Sequence, residues 1–561
     1  MALVKKNKKT LSTAGRSGAS GSSGAEISPR RPYHFEQLAP CMDGCPQGTN
    51  IRGILMKIAQ AEKYEKPIEE ALDEAWLELT EKNPLPSICG RVCPHPCEDN
   101  CNRGEKDGAL AINNVERFIG DWGIERGLKL PVTDTEAKPE KIAVIGSGPA
   151  GLSCAYHLAK KGYKVKIFEA LGGPGGMLRY GIPAYRLPRD VIDNEVNRIK
   201  ELGVEIEYNV SIGKDKPYEE LQKDYEAIFV GVGAQGGVKL RCSGEDAENV
   251  YSGVRFLRLA NTGEPVDIGD NVVVIGGGDT AIDAARVSKR QGAKVTILYR
   301  RTRDEMPAIE EEIVGAEEEG IEFHYLAAPV EIIKDGDRAV KMLCQRMELG
   351  EPDDSGRRRP VPIEGDIFEI PVSCVIAAIS QKPDMVGLEE VANEYNWMTA
   401  NDNGATDKTG VYTGGDVLEL GLVTVAIYQG RRAADTIHNR FRGIEESKEE
   451  KQSVIHSERI LLDYYAQALR HENLHLGAEE RLTDGDKEIA TTLELDEVIE
   501  EARRCMSCGS CFDCGTCWSY CQDNAIHKPM IAGERYTFKM EFCKGCDKCK
   551  EVCPCGFIEM K

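Results

Sequence analysis

Cysteine spacing is the first chemistry legible in this 561-residue chain. Of 21 cysteines, 17 lie in two patches, residues 41–101 and 505–555. In "RRCMSCGSCFDCGTCWSYC", residues 503–521, Cys511, Cys514, Cys517 and Cys521 follow C-x2-C-x2-C-x3-C, a spacing with which thiolates hold [4Fe–4S] clusters. Cys543, Cys546, Cys549 and Cys553, with Pro554 behind them, repeat that spacing in full. Zinc closes with four ligands, so eight cysteines in this order suit two cubanes better than a zinc site. Cys505 and Cys508 stand in front of the first run at the same interval and belong to neither. The front patch reads "CMDGCPQG", 41–48, and "CGRVCPHPCEDNC", 89–101. Short repeated intervals of this kind indicate metal binding rather than disulfides, hence a reducing cytoplasm.

Two glycine-rich turns carry the other chemistry. In "KIAVIGSGPAGLSCAYHLAKKGYKVKIFEA", 141–170, a strand leads into Gly146, Gly148 and Gly151, then a helix, then a second strand ending at Glu169. Such glycines allow a tight turn and let backbone approach a pyrophosphate at a helix N-terminus, and Glu169 is placed to accept from a ribose hydroxyl. "NVVVIGGGDTAIDAARVSKRQGAKVTILYRRTRDEMPA", 271–308, repeats the pattern with Gly276, Gly278 and Ala281, and with Asp279 and Thr280 opening the helix. Glu169 lies 23 residues after Gly146, but the same step from Gly276 lands on Tyr299, followed by Arg300 and Arg301. Losing the acid and gaining arginine favours a 2′-phosphate, hence NADP over NAD. The alternative is that these arginines are surface charges. A third segment, "GVYTGGDVLELGLVTVAIYQGRRAAD", 410–435, is a short strand, Gly414-Gly415-Asp416, and a helix starting near Thr424.

The elements that must position these groups fall into an α/β multidomain order. The length suggests about four domains. Residues 1–30 form a Gly/Ser-rich arm with Lys5, Lys6, Lys8 and Lys9, read as flexible. Residues 31–138 make a helical iron–sulfur unit, in which Ile51, Ile54, Leu55 and Ile58 share one helix face. Ala71, Leu72, Ala75, Trp76 and Leu79 share another, until "NPLP" stops the run. Strand–helix alternation follows, as in parallel α/β folds. It divides into one nucleotide fold over 139–248 and 378–442, and a second over 249–377. "EESKEEKQ", 445–452, is a charged joint, and "ERILLDYYAQALR" beyond it reads as a helix within a helical linker, 443–504. Residues 505–561 are too few to hold a core without metal staples. The formal charge of −22 argues against nucleic acid. No apolar run is long enough to span a membrane, and the basic start lacks the apolar core of a signal peptide.

With these motifs in view, residues 139–440 resemble the flavoproteins with two dinucleotide-binding folds. The resemblance implies FAD in the first fold, NADPH or NADH in the inserted second, and contact of Gly415–Asp416 with the flavin's ribityl-phosphate. "GGPGGMLRYGIPAYRLP", 172–188, with Gly176, Met177 and Arg179, is similar to the glutamate synthase small-subunit branch. Disulfide reductases of this architecture need a redox cysteine pair near the flavin, and Cys154, Cys242, Cys344 and Cys374 offer none in the sequence. The C-terminal unit resembles a two-cluster ferredoxin, where the fourth cysteine of each run serves the other cluster. One cluster would take Cys511, Cys514, Cys517 and Cys553, and the other Cys521, Cys543, Cys546 and Cys549. Gln522 stands where a proline is usual.

The front patch resembles the helical domain shared by glutamate synthase small subunits, ferredoxin-NADP transhydrogenase large subunits and dihydropyrimidine dehydrogenase. By that resemblance Cys45, Cys93, Cys97 and Glu116 hold a cluster near the flavin; the plain alternative for Glu116 is an ion pair on a helix. A second cluster in those relatives uses a C-x2-C pair shortly before the position of Cys41, where this chain has Tyr33 and Glu36. Two ligands are missing at the front and two are surplus at the back. Cys505 and Cys508 are therefore expected to fold beside Cys41 and Cys101, completing a fourth cluster; without it there would be three. Cys89, Cys154, Cys242, Cys344, Cys374 and Cys555 remain without ligand spacing.

The parts form an electron wire. No second pocket with acid–base or nucleophilic groups is legible, so the chemistry belongs to the cofactors. The expected function is an NAD(P)H:acceptor oxidoreductase exchanging electrons with a protein partner, with a homodimer allowed for. The full layout over about residues 30–561 resembles the DsrL-type iron–sulfur flavoproteins that partner dissimilatory sulfite reductase. A glutamate synthase small subunit, a redox subunit of a 2-oxoacid or aryl-CoA enzyme, and a scaffold with an inactive nucleotide site are the alternatives.

Overall fold

The computed structural model describes residues 28–353, 356–445, 452–531 and 533–561. The basic arm expected over 1–30 lies outside the described residues up to position 27, as does most of the charged joint at 445–452. Two parallel five-stranded sheets carry the centre of the chain, in line with the α/β multidomain expectation. The first runs in the order Val411–Thr413, Ala227–Val230, Lys141–Ile145, Lys164–Glu169, Glu205–Tyr208. The second runs Glu322–Tyr325, Lys294–Tyr299, Asn271–Ile275, Cys374–Ala377, Val250–Ser252. All strands of the second sheet lie in sequence between two neighbouring strands of the first, so the second fold is an insertion. An antiparallel three-stranded sheet, Ala327–Asp335, Arg338–Pro352 and Arg358–Pro371, precedes the strand Cys374–Ala377. The inner strands are continuous apolar runs, buried on both faces as parallel sheets require.

In front of this core stand helices Ile51–Ala59, Ile68–Thr80, Pro86–Val92 and Ile112–Glu125. Their apolar faces are buried at the positions the periodicity marks, with Trp76 wholly enclosed. Two glycines let the last two helices touch. A Cβ on Gly90 would sit 2.4 Å from the Arg117 Cα, and one on Gly120 2.3 Å from the Ser87 nitrogen. These helices share one apolar core with the first nucleotide fold. The Tyr156 hydroxyl, from the helix after the first glycine turn, donates to the Thr80 carbonyl at 2.7 Å.

The helix expected over "ERILLDYYAQALR" is not there. The segment makes 3-10 turns at Ser457–Arg459 and Leu462–Tyr464 and then runs without helix to Ala478–Thr483. Its polar groups are claimed by its neighbours, which overrides helix propensity. Leu461 N donates to Pro554 O at 3.0 Å, Tyr465 Oη to Met506 O at 2.8 Å, and Ala468 N to Asp107 at 2.9 Å. The linker regains a helix at Leu495–Arg503, just before the surplus cysteines. At the end of the chain, strand Ile558–Met560 pairs antiparallel with Pro32–His34, Tyr33 opposite Glu559. The segment that lacks the front cysteine pair is thus an edge strand against the C-terminal unit. Among the described residues no helix is long and apolar enough to cross a membrane.

Candidate iron–sulfur and nucleotide sites

The three glycines of the first turn have three different reasons. Gly146 is left-handed, and its Cβ would meet Gly231 O at 2.5 Å; a Cβ on Gly151 would meet Gly146 O at 2.0 Å. Gly148 has nothing within 4 Å, an open approach for a bound pyrophosphate. Glu169 ends the second strand and is tied beneath the turn by Ser147 N and Leu171 N, both at 2.9 Å. Gly176, also left-handed, brings the 172–181 segment against Gly148, and Met177 opens a short helix there. Arg179 is engaged elsewhere, with Asp193 and with Pro174 O at 2.7 Å. Gly415 N donates to Gln429 at 2.6 Å, and burial pushes the Asp416 carboxyl up.

In the second fold Gly276 passes so near Ala378 that a Cβ would sit 2.3 Å from its carbonyl oxygen, whereas Gly278 is open apart from Pro307 at 3.8 Å. A cavity of about 890 Å³ is lined by Gly276, Gly278, Thr280, Arg300, Arg301 and, from the first fold, Asp416. Asp279 is bound by Ile309 N at 3.0 Å and Thr280 by Gln381 at 3.3 Å; Ala281 is buried. The two arginines separate. Arg300 is exposed, but Arg301 is 3% exposed and pairs with Asp353 at 2.6 Å while donating to Arg358 O at 2.7 Å. Both arginines line the cavity, Arg300 with no such protein partner among the described residues and Arg301 with its guanidinium already engaged by the antiparallel sheet's hairpin.

Cys45, Cys93, Cys97 and Glu116 line one cavity at the junction of the helical unit and the first nucleotide fold. The Glu116 carboxyl opens into that cavity. Burial pushes it up to about 7, and it is held by Asn83 Nδ2 at 2.8 Å. It makes no ion pair among the described residues, so the plain salt-bridge reading does not apply. Thr424, at the start of helix Val423–Arg442, lines the same cavity with its buried hydroxyl directed at the Cys93 thiol.

Cys41, Cys101, Cys505 and Cys508 line a second cavity, together with Arg52 and Asn102. The two halves are joined by groups that spacing could not reveal. Glu501, fully buried on the Leu495–Arg503 helix, accepts from Ala111 N at 2.7 Å and from Arg504 at 2.6 Å. Arg504 also reaches Asp107 at 3.2 Å, and Asp107 holds Arg103 at 2.6 Å. Charge-pairing buried arginines with carboxylates this way seats Cys505 against Cys101.

Cys511, Cys514, Cys517 and Cys553 line a third cavity, joined by Cys555 and by His34. His34, from the N-terminal edge strand, stacks on Phe557 at 4.8 Å. The Cys555 thiol lies 3.8 Å from Cys553 and, with nearby backbone N–H groups, holds the Cys553 thiol below the usual range. Cys543 and Cys546 lie beside Cys549, and Cys521 packs on the same small core as Cys549.

Burial pushes Cys93, Cys505, Cys517 and Cys549 up to about 12, so their thiolates need a cation beside them. Thiols ringing a cavity are the donor set that an iron–sulfur cluster takes. All 21 cysteines are free, and the four of the nucleotide folds make no disulfide.

Residues 140–430, 291 of 561, match the model of the pyridine nucleotide-disulphide oxidoreductase family. Residues 34–128 match dihydropyrimidine dehydrogenase domain II, 4Fe–4S cluster. The NADP(+)-dependent formate dehydrogenase subunit beta of Moorella thermoacetica is 40% identical over 72% of this chain and 60% of its own length. The NADPH-Fe(3+) oxidoreductase subunit beta of Geobacter sulfurreducens is 35% identical over 84% of this chain and 75% of its own. The glutamate synthase [NADPH] small chain of Escherichia coli is 37% identical over 64% and 81%.

Proposed function

The chain belongs to the pyridine nucleotide-disulphide oxidoreductase family, and from that premise we propose that it exchanges electrons between NADPH and a protein partner through FAD and four [4Fe–4S] clusters. It is an NADPH-dependent iron–sulfur flavoprotein oxidoreductase. The observation that carries the wire is Thr424. It opens the helix after the Gly415–Asp416 segment and lines the cavity of Cys45, Cys93, Cys97 and Glu116. Flavin-side and cluster-side groups therefore meet in one place.

Bound FAD supplies the exchange between the electron pair of a hydride and the single electrons that clusters carry. The chain's own groups do the rest. Gly146, Gly148 and Gly151 would admit the FAD pyrophosphate and Glu169 would accept from the ribose, with Gly176, Met177 and Gly415–Asp416 holding the rest of that cofactor. Gly276, Gly278, Asp279, Thr280, Ala281 and Arg300 would hold the second nucleotide, with Arg301 lining the same cavity. The cluster ligands proposed are Cys45, Cys93, Cys97 and Glu116; Cys41, Cys101, Cys505 and Cys508; Cys511, Cys514, Cys517 and Cys553; Cys521, Cys543, Cys546 and Cys549.

The partner we favour is dissimilatory sulfite reductase, on the strength of the whole layout: a front patch without its first pair, a surplus pair behind, and a terminal ferredoxin unit. A second reading, the redox subunit of a formate dehydrogenase-type enzyme, is favoured by the 40% identity to the Moorella subunit. Anaerobic titration with NADPH tests the function. Bleaching of the flavin followed by the clusters is expected; a flavin that stays oxidised overturns it in favour of an inert scaffold. Co-purification from the native source separates the partners, sulfite reductase subunits against a formate dehydrogenase catalytic subunit.

A further inference from the structure

We infer that Arg52 makes the composite site of Cys41, Cys101, Cys505 and Cys508 the higher-potential of the two inner clusters, so that electrons settle there on the way out. The inference rests on the cluster reading of that site. Arg52 is the second residue of helix Ile51–Ala59, and its guanidinium lines the composite cavity. It donates to Cys508 O at 2.8 Å and to Gln37 O at 3.3 Å, and it makes no ion pair among the described residues. Its charge bears on Cys41, Cys505 and Cys508. Among the described residues no carboxylate pairs with this cation, and the four thiols that share its cavity are the donor set of an anionic cluster. Asn102 adds a hydrogen bond to the Cys508 sulfur at 3.5 Å, its Nδ2 also reaching Ile455 O at 3.2 Å.

The first site has the opposite dress. No lysine or arginine lines its cavity, and one of its four proposed ligands is the Glu116 carboxylate. Reduction adds one negative charge to a cluster. A nearby cation and a hydrogen bond to sulfur favour the reduced form, and a buried carboxylate with no lysine or arginine beside it disfavours it. The step concerned moves one electron from the first site to the composite site. The first is oxidised by one and the second reduced by one, no bond is made or broken, and NADPH supplies the electron.

The test is a potentiometric titration followed by electron paramagnetic resonance on anaerobically purified holoprotein. Wild type, Arg52→Gln, Arg52→Lys and Asn102→Ala are compared, with iron per FAD measured on each. The composite signal is the one absent from a Cys505→Ser/Cys508→Ser variant. Arg52→Gln is expected to lower its reduced-to-oxidised ratio at fixed potential about tenfold, the effect of one partly screened charge at close range. Arg52→Lys should restore most of it, and the first-site signal should stay. Asn102→Ala should shift the composite signal the same way by less. Arg52→Gln with its full iron and an unmoved signal overturns the inference. If Arg52→Gln loses iron, Asn102→Ala decides, and an unmoved signal there overturns it equally. About twelve irons in the wild type, at four per cubane, would remove the composite site itself and the inference with it; about sixteen with unmoved variants would remove the inference alone.

Discussion

The two inner thiol cavities share a wall of helix Ile51–Ala59 but are built in opposite ways. The first draws its four proposed ligands from the helical unit alone, and packing of Gly90 and Gly120 brings them together. The composite site draws two ligands from near each end of the chain and needs a separate framework, Glu501, Arg504, Asp107 and Arg103, to seat one half on the other. A local site can assemble when its own helices pack; a composite site can assemble only when the C-terminal unit has docked. Their electrostatics differ in the same sense, a carboxylate in one and, in the other, a guanidinium without an ion pair among the described residues.

The largest expected effect tests that contrast directly. Cys505→Ser/Cys508→Ser should lower iron from about sixteen to about twelve per FAD and leave NADPH bleaching of the flavin intact, at four irons per cubane. About twelve irons before and after would erase the composite site. Next, Glu116→Ala should disturb only the first cluster, lowering its content or changing its resonance signal, while Glu116→Cys restores iron with an all-thiolate signal. If Glu116→Ala leaves both content and signal unchanged, the carboxylate half of the comparison falls.

A smaller effect separates the two arginines of the second nucleotide fold. Arg300→Ala should raise KM for NADPH about tenfold with little change for NADH, the loss of a charged hydrogen bond. Arg301→Ala should instead lower Tm and leave KM nearly unchanged, because its partners are Asp353 and Arg358. Equal KM effects would return Arg301 to the binding site. The smallest effect lies at Glu559, which burial would raise but which Lys550, Met560 N and Arg459 hold at about 2. A depressed carboxylate contributes stability above its unfolded value, about 4.3, that is lost as pH falls toward 2. Glu559→Gln should therefore cost stability at neutral pH and nothing near pH 2, read from Tm against pH.

How much of this was legible in sequence depends on distance along the chain. The nucleotide turns were, because strand, glycines, helix and acid follow one another within 30 residues and each has a local reason. The ferredoxin runs were, because ligand spacing is itself the signal. The composite site was reached only by a deficit at one end matching a surplus at the other, and its framework of Glu501 and Arg504 left no trace in spacing. Arg52 and His34 were missed for the same reason: each lies far in sequence from thiols it faces. The linker helix failed because "ERILLDYYAQALR" has ordinary helix formers whose backbone and side chains are claimed from outside. The pairing of Arg301 with Asp353 was not legible, because Asp353 lies in the hairpin after Arg338–Pro352, outside the nucleotide motif.

The pairing of Pro32–His34 with Ile558–Met560 has a consequence for biosynthesis. During synthesis Pro32–His34 has no strand partner until Ile558–Met560 has been made. The nucleotide folds are free to form before then, whereas the composite site must wait for Cys505 and Cys508, which follow both folds in the sequence. Iron–sulfur delivery to that site is therefore a later step than the building of the flavoprotein core.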